Sequence, residues 1–370
     1  MRIAQVASCY YPQIGGIEKY VQRLAAGCVE AGDDVTVFTN QTGRSATEEW
    51  IDGVRIVRFP LTVKSRYYPL SVPLFRQLRS RVADYDVVHA HGYHTVVGHA
   101  AVGAGIPFIF TPYYHGTGHS PSRAALHKVY KPFGARQFRS ASSIICISNP
   151  ERELMIKHFP RWTDKIVVIP PGADARTPGL EQDRDSLSVL NLISGQRLVL
   201  SVNRLERYKN VDLIIRAFRN LAVSATLIVV GDGPDRLRLE RIAMDSEPGW
   251  PVHFVGKISD SLLDALLEKA TVVTSASDHE AFGLSVADGL SSGARVVASM
   301  IPAHAEIARL AGAGAPVSLV DPRNLSRFTE LLASSLQAGR CERGRASLPT
   351  WRDAVNATRE LYCGVTQQSR

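Results

Sequence analysis

Residues 272–288 read VVTSASDHEAFGLSVAD, and this stretch decides the fold. Val272–Ser275 is a short β-branched run suited to a buried strand. From about Gly283 the pattern turns helical, with a loop between. A strand that passes through a loop into a helix is one unit of a parallel α/β layer. Free backbone N–H groups at such a helix start point outward and favour an anion or a hydroxyl-rich ligand. Glu280 lies just before the helix, able to accept hydrogen bonds from ligand hydroxyls. Asp288 stands four residues after Leu284 and so projects one turn further in. Two carboxylates so placed suit a ligand with two diols; the plainer alternative is a capped helix with an exposed acid.

The same unit recurs outward in both directions. Strands are expected in the first half at 2–7, 35–39, 54–59, 87–90, 108–111, 143–147 and 166–169. Helices are expected there at 17–31, 72–82, 95–104, 122–138 and 150–158. The last has Ser148 or Asn149 as cap, Pro150 in the first turn and Glu151 near the positive end of the dipole. Periodicity lapses across 170–196, where proline, glycine and charge read as an interdomain linker. It restarts with strands at 198–202, 226–230, 252–255, 272–275, 295–298 and 316–319, and a final amphipathic stretch covers 351–362. The fold class is therefore α/β, with two Rossmann-like domains facing a central cleft, where ligands meet the carboxyl ends of strands. The boundaries are 1–172 for the first domain, 173–196 for the linker, 197–345 for the second domain and 346–370 for a terminal helix.

Composition agrees. With 45% hydrophobic and 21% charged residues over 370 positions, the chain is an ordinary globular protein long enough for two independent cores. The net charge of +8 is uneven: residues 1–175 hold 20 Lys/Arg against 13 Asp/Glu, and residues 176–370 hold 23 against 22. An anionic partner for the first half follows: nucleic acid, a membrane surface or a phosphorylated substrate. Five scattered cysteines with no CxxC pair argue against a disulfide framework or a zinc site. The N-terminus reads as a first strand rather than a signal peptide, and no apolar run is long enough for a membrane helix. The expected location is cytoplasmic, extending at most to the inner face of a membrane.

Three further motifs sit at strand ends in the second half. Arg204 and Lys209 lie in a strand-to-helix turn, where two cations can neutralise a diphosphate leaving group without a metal. Gly231-Asp232-Gly233-Pro234 follows the next strand; its glycines let backbone approach a ligand, and the same tetrapeptide is also a common turn. Gly256-Lys257 follows the strand after that, where a base can meet backbone groups.

In this order and placement the motifs resemble the family 4 glycosyltransferases, retaining enzymes of the GT-B fold that use nucleotide-diphosphate sugars. The resemblance spans most of the chain and rests on Pro12-Gln13-Ile14-Gly15-Gly16-Ile17-Glu18, Arg204 with Lys209, Gly231-Asp232-Gly233-Pro234 and the Glu280 segment. It implies that Gly15 and Gly16 belong to a loop that meets the donor phosphate, while Arg204 and Lys209 hold the diphosphate. Gly231, Gly233 and Lys257 join the donor site. Glu280 and the backbone of Phe282, Gly283 and Leu284 bind the transferred sugar. Asp288 falls where the family usually has a second Glu that binds the ribose, and it is one methylene shorter. The terminal helix is expected to pack back on the first domain.

In the first half, Val87-Val88-His89-Ala90-His91-Gly92-Tyr93-His94 is dense in histidine. His89 and His91 share a strand face, but no carboxylate or cysteine set converges there, so packing at the acceptor side is expected rather than metal binding. The family commonly has a histidine just after the strand 108–111. The closest count puts Tyr113 there, with His115 two residues on; His115, Tyr113 and plain loop structure stay open as alternatives. Asp84-Tyr85-Asp86 and Asp183-Arg184-Asp185 read as solvated turns, so neither a divalent metal nor another cofactor is expected. Lys64, Arg66, Arg76, Arg79 and Arg81 interleave with Tyr67, Tyr68, Leu70, Leu74, Phe75 and Leu78. A second basic group comprises Arg123, Lys128, Lys131, Arg136 and Arg139. Both suit anionic lipid headgroups or an ordinary basic helix face, and no nucleic-acid module is recognisable.

The expectation is transfer of a hexose, mannosyl or glucosyl, from a UDP- or GDP-sugar to a hydroxyl of a lipid-linked or anionic acceptor. Its catalytic set is His115, Arg204, Lys209 and Glu280. A nucleotide-sugar epimerase or phosphorylase on the same fold, and a non-catalytic nucleotide-sugar-binding module, are the alternatives.

Overall fold

Two parallel sheets organise the computed structural model, which describes all residues except 14, 66–68, 94, 104, 117–120, 175–183, 194, 245–250, 345 and 369–370, and only the backbone of 121–129, 184 and 185. Ile14, Arg66, Tyr67, Tyr68, His94 and Asp183 therefore lie outside the described residues, as do the side chains of Arg123, Lys128, Arg184 and Asp185.

The first unit comprises Met1–Gly172 with Thr350–Arg370. Its strands are Arg2–Val6 (β1), Asp34–Gln41 (β2), Thr47–Ile51 (β3), Val54–Pro60 (β4), Val87–His91 (β5), Phe108–Thr111 (β6), Ser143–Cys146 (β7) and Ile166–Val168 (β8). They are ordered β3-β4-β2-β1-β5-β6-β7-β8, and β3 alone is antiparallel to its neighbour. Sequence periodicity does not predict β3, because almost every residue of it is exposed and no apolar face exists to read. The Asp52-Gly53 turn, with φ of 52° and 73°, closes the hairpin, as the right-handed strand twist requires. Ion pairs Arg55–Glu48 at 2.7 Å and Arg58–Glu49 at 2.6 Å cross it. The helix expected over 95–104 is only a 3-10 turn, Val97–Ala101. Gly98 within it and Gly103 after it, at φ 75°, work against a longer α-helix.

The helix Trp351–Gln368 belongs to this unit and lies on the helix Gly16–Glu30, where Gly27 leaves room for Val355. Arg359 clamps Asp33 at 2.6 Å, and the Tyr362 hydroxyl reaches His89 Nδ1 at 2.6 Å.

The second unit, Ala173–Pro349, carries Arg197–Val202 (β9), Ala225–Val230 (β10), Val252–Gly256 (β11), Val272–Ser275 (β12), Arg295–Ser299 (β13) and Val317–Val320 (β14). All are parallel, in the order β11-β10-β9-β12-β13-β14. Strand order reverses between β9 and β12, which makes their carboxyl ends the ligand crevice of a doubly wound sheet. Part of the stretch read as linker is regular: Arg184–Asn191 is helical.

One buried carboxyl stands out in the first unit. Glu151, 2% exposed, accepts the backbone N–H of Tyr114 at 2.5 Å and of Ile147 at 2.7 Å. Burial pushes its pKa up to about 8, against the pull of those two donors. A carboxyl that holds its proton more tightly in the native state loses stability as pH rises through that window. Buried His91 and His99, held at about 3 and 4, act in the opposite sense, but only below the unfolded histidine value of about 6.5. Between pH 6.5 and 8.5, therefore, the melting temperature is expected to fall with rising pH, and Glu151→Gln to flatten that slope. Equal slopes in the two proteins would refute the assignment.

Candidate functional site

The carboxyl ends of β9 and β12 bring Lys209 and Glu280 together. After β9 the chain turns through Arg204 into the 3-10 turn Arg207–Lys209, then through Asn210, whose left-handed φ is 47°. Asn210 Nδ2 donates to the Ala276 carbonyl at 3.0 Å, and Asp278 N donates to the Tyr208 carbonyl at 2.8 Å. These two bonds knit the β9 loop to the β12 loop. The Tyr208 ring stacks on His279 at 5.2 Å, and Arg323 holds Asp278 at 2.6 Å.

Within this frame Lys209 Nζ meets Glu280 Oε1 at 2.5 Å, and Ser277 Oγ donates to the same oxygen at 2.8 Å. Burial pushes the Glu280 pKa up, but the Lys209 charge and bond, with His304 and Ser277, bring it below the ordinary carboxylate value. Burial pushes Lys209 down, and Glu280 and Tyr208 turn the net direction upward. The pair is thus ionised at neutral pH, a carboxylate and an ammonium held side by side at the mouth of the crevice.

The two cations read from sequence as equivalent are not. The Arg204 side chain is 65% exposed and lies 3.3 Å from Glu206, whereas Lys209 is 11% exposed. Arg204 is the reaching cation and Lys209 the built-in one. Gly283 caps the helix Leu284–Ser291 at φ 105°, and no side chain caps that helix. Phe282, just before it, is buried. Asp288 sits in the same helix and is 9% exposed.

Gly231 and Gly233 serve the fold first. A Cβ on Gly231 would stand 1.9 Å from the Asn203 carbonyl oxygen, and one on Gly233 would stand 2.3 Å from that of Leu205. Their tight approach on the Cβ side is to the β9 loop, the turn role that the sequence also allowed. Gly231 N also donates to the Gly256 carbonyl at 2.7 Å, beside exposed Lys257.

In the first unit, Gly15 and Gly16 open the helix Gly16–Glu30, with Gly15 in extended backbone. His89 and His91 are fully buried, and each ring nitrogen has a protein partner. His89 meets Tyr362 and Thr111; His91 meets the Tyr113 hydroxyl at 3.0 Å and Gln5 at 3.1 Å. Tyr113 is buried at a left-handed φ of 50°, a strained conformation for a bulky residue. The polar groups of His91 and Tyr113 are thus engaged with each other inside the unit, the packing expected of the histidines. His115, half-buried, follows in the same loop.

Sequence reasoning missed Ser277, Ser299 and His304. Ser277 stands three residues before Glu280, and the other two end β13 and open the next helix. Strand-end position was their only signal.

Residues 14–177 match the family model Glycosyltransferase Family 4, and residues 183–343 match that of Glycosyl transferases group 1. The chain belongs to glycosyltransferase family 4. It is a glycosyltransferase of the GT-B fold that uses a nucleotide sugar. The chain is 28% identical to the GDP-mannose-dependent alpha-(1-6)-phosphatidylinositol dimannoside mannosyltransferase of Mycobacterium tuberculosis, covering 96% of this chain and 94% of that one. It is 23% identical to one of the chains of the human phosphatidylinositol N-acetylglucosaminyltransferase, over 99% and 77% of the two proteins. Among solved structures, sucrose-phosphate synthase of Thermosynechococcus elongatus superposes with a TM-score of 0.73 at 19% identity, over 99% of each chain.

Proposed function

We propose that this family 4 enzyme moves a hexose, mannosyl or glucosyl, from a UDP- or GDP-sugar to an acceptor hydroxyl, with retention and without a divalent metal. The Lys209–Glu280 pair at the sheet's switch point carries the reading. Lys209 and Arg204 stabilise the diphosphate as the anomeric C–O bond breaks. Glu280, an ionised acceptor, orients the sugar hydroxyls. Its oxygen is engaged by Lys209 and Ser277, which disfavours its use as a double-displacement nucleophile. A front-face route fits better: the acceptor oxygen bonds to the anomeric carbon on the leaving-group side, and its proton passes to the departing phosphate.

The acceptor is proposed to be lipid-linked or otherwise anionic. Two relatives are named for phosphatidylinositol-based reactions. The first unit also has an open surface depression of about 510 Å³ lined by Arg44 and Phe59 and by Arg76 and Gln77 of the basic helix Val72–Arg81. Among the described residues no helix is long and apolar enough to cross a membrane, and peripheral contact with an anionic surface is proposed instead.

The test is turnover of UDP-, GDP-, ADP- and TDP-hexoses with and without anionic vesicles and chelator, the product's anomeric configuration being read by NMR. Transfer from a UDP- or GDP-hexose with retention, undiminished by chelator, is expected. An inverted product or loss of turnover in chelator overturns the corresponding part.

A further inference from the structure

His304 lies in the first turn of the helix Pro302–Leu310, directly after β13, and is fully buried. Its Nδ1 stands 2.9 Å from the Ser299 carbonyl oxygen and 3.2 Å from Ser299 Oγ. Ser299 Oγ donates to the Ser277 carbonyl at 2.6 Å, so its own proton is committed there and the Nδ1–H is directed at the Ser299 carbonyl. Ser277 Oγ in turn donates to Glu280 Oε1. An unbroken line of contacts therefore runs from His304 through Ser299 and Ser277 to Glu280 and Lys209.

The opposite edge of the ring faces the start of the helix Leu284–Ser291. A Cβ on Gly283 would stand 3.0 Å from His304 Cδ2 and 3.2 Å from Nε2. His304 Nε2 is buried and has no hydrogen-bond partner among the described residues. The ring thus touches both ends of the segment 280–283, one end through the serines and the other by direct packing.

We propose that His304 is a positioning residue for the transferred sugar, setting Glu280 through Ser299 and Ser277 and setting the Gly283 backbone by contact. The inference rests on the reading of this segment as the sugar end of the donor site. A neutral ring suits the geometry, since a second proton on Nε2 would face Gly283 without an acceptor. Burial holds the ring's pKa below the ordinary histidine value, helped by Lys209 and opposed by Glu280 and the Ser299 carbonyl.

Two variants separate the contacts. His304→Asn keeps an N–H for the Ser299 carbonyl and loses the ring edge; His304→Phe keeps the ring and loses the donor. Each is compared with wild type for melting temperature, kcat and KM with the sugar nucleotide, and Kd for the sugar nucleotide and for the nucleoside diphosphate alone. In at least one variant that melts cooperatively, kcat/KM and sugar-nucleotide affinity are expected to fall about tenfold or more, as for a misplaced reactant. Diphosphate affinity is expected to change less than about threefold, because the displaced groups address the sugar. Unchanged sugar-nucleotide parameters in every variant that folds overturn the proposal. So does an equal loss of affinity for both ligands, and so does unfolding of both variants, which makes His304 a residue of the fold alone. If wild type binds the sugar nucleotide but transfers nothing, the proposed reaction fails, while the two affinities still decide on His304.

Discussion

Lys209→Ala is expected to lower turnover by about a hundred- to a thousandfold while the chain still melts cooperatively. Lys209 has two tasks at once. Its ammonium stands at the carboxyl ends of β9 and β12, where the proposed reaction has the leaving diphosphate gather charge, and it holds Glu280 at 2.5 Å. Without it the Glu280 carboxylate keeps the Ser277 hydroxyl, and the burial that already pushes its pKa up is no longer opposed by a cation. The acid limb of the pH–rate profile should therefore move to higher pH in the variant, since in its proposed role Glu280 must be ionised to accept from sugar hydroxyls. Both side chains keep some solvent access, 11% and 17%, so the stability loss should be about 1–3 kcal/mol, the cost of an orphaned polar group. Glu280→Gln combined with Lys209→Ala should lose less than the two single effects together, because both act on one pair. Turnover within about fivefold of wild type would remove Lys209 from the leaving-group role.

The alternation of β-branched runs with amphipathic stretches was enough to place the sheets, because a parallel strand buried on both faces is written into local composition. What escaped depended on partners distant in sequence. The exposed strand β3 is held by Arg55 and Arg58 across a hairpin, and no periodicity marks it. Lys209 and Glu280 were each legible as strand-end residues, but their contact spans 71 positions and exists only because β9 and β12 are neighbours. The same limit hid the bond between His91 and Tyr113, which spans 22 positions and joins the ends of neighbouring strands. His304 carried no motif at all; its meaning lies in Ser299 at the end of β13 and in Ser277 and Gly283 of the loop after β12.

Gly231→Ala is expected to be the most damaging single methyl in the second unit. The residue sits at φ 116°, a conformation that by itself costs an L-residue about 1–2 kcal/mol. The added carbon would also stand 1.9 Å from the Asn203 carbonyl oxygen and 3.0 Å from its carbon, and backbone cannot rotate away as a side chain can. Moving Asn203 strains the bonds from Asn203 N to the Val230 carbonyl and from Leu205 N to the Asp232 carbonyl, both 3.0 Å. It also carries with it the loop that bears Arg204. A total loss of about 3–5 kcal/mol follows from strain and overpacking together, a fall of about 10 °C in melting temperature for a unit of this size. Gly312→Ala provides the control: its φ is 88°, but nothing lies within 4 Å of the added carbon. That variant should lose only the conformational part, about 1–2 kcal/mol, and keep its donor affinity. If the two variants melt together, the collision with Asn203 is not what the glycine avoids. If Gly231→Ala melts far lower, or binds the nucleoside diphosphate more weakly at a temperature where it is folded, the β9 and β10 loops are set against each other by that missing methyl.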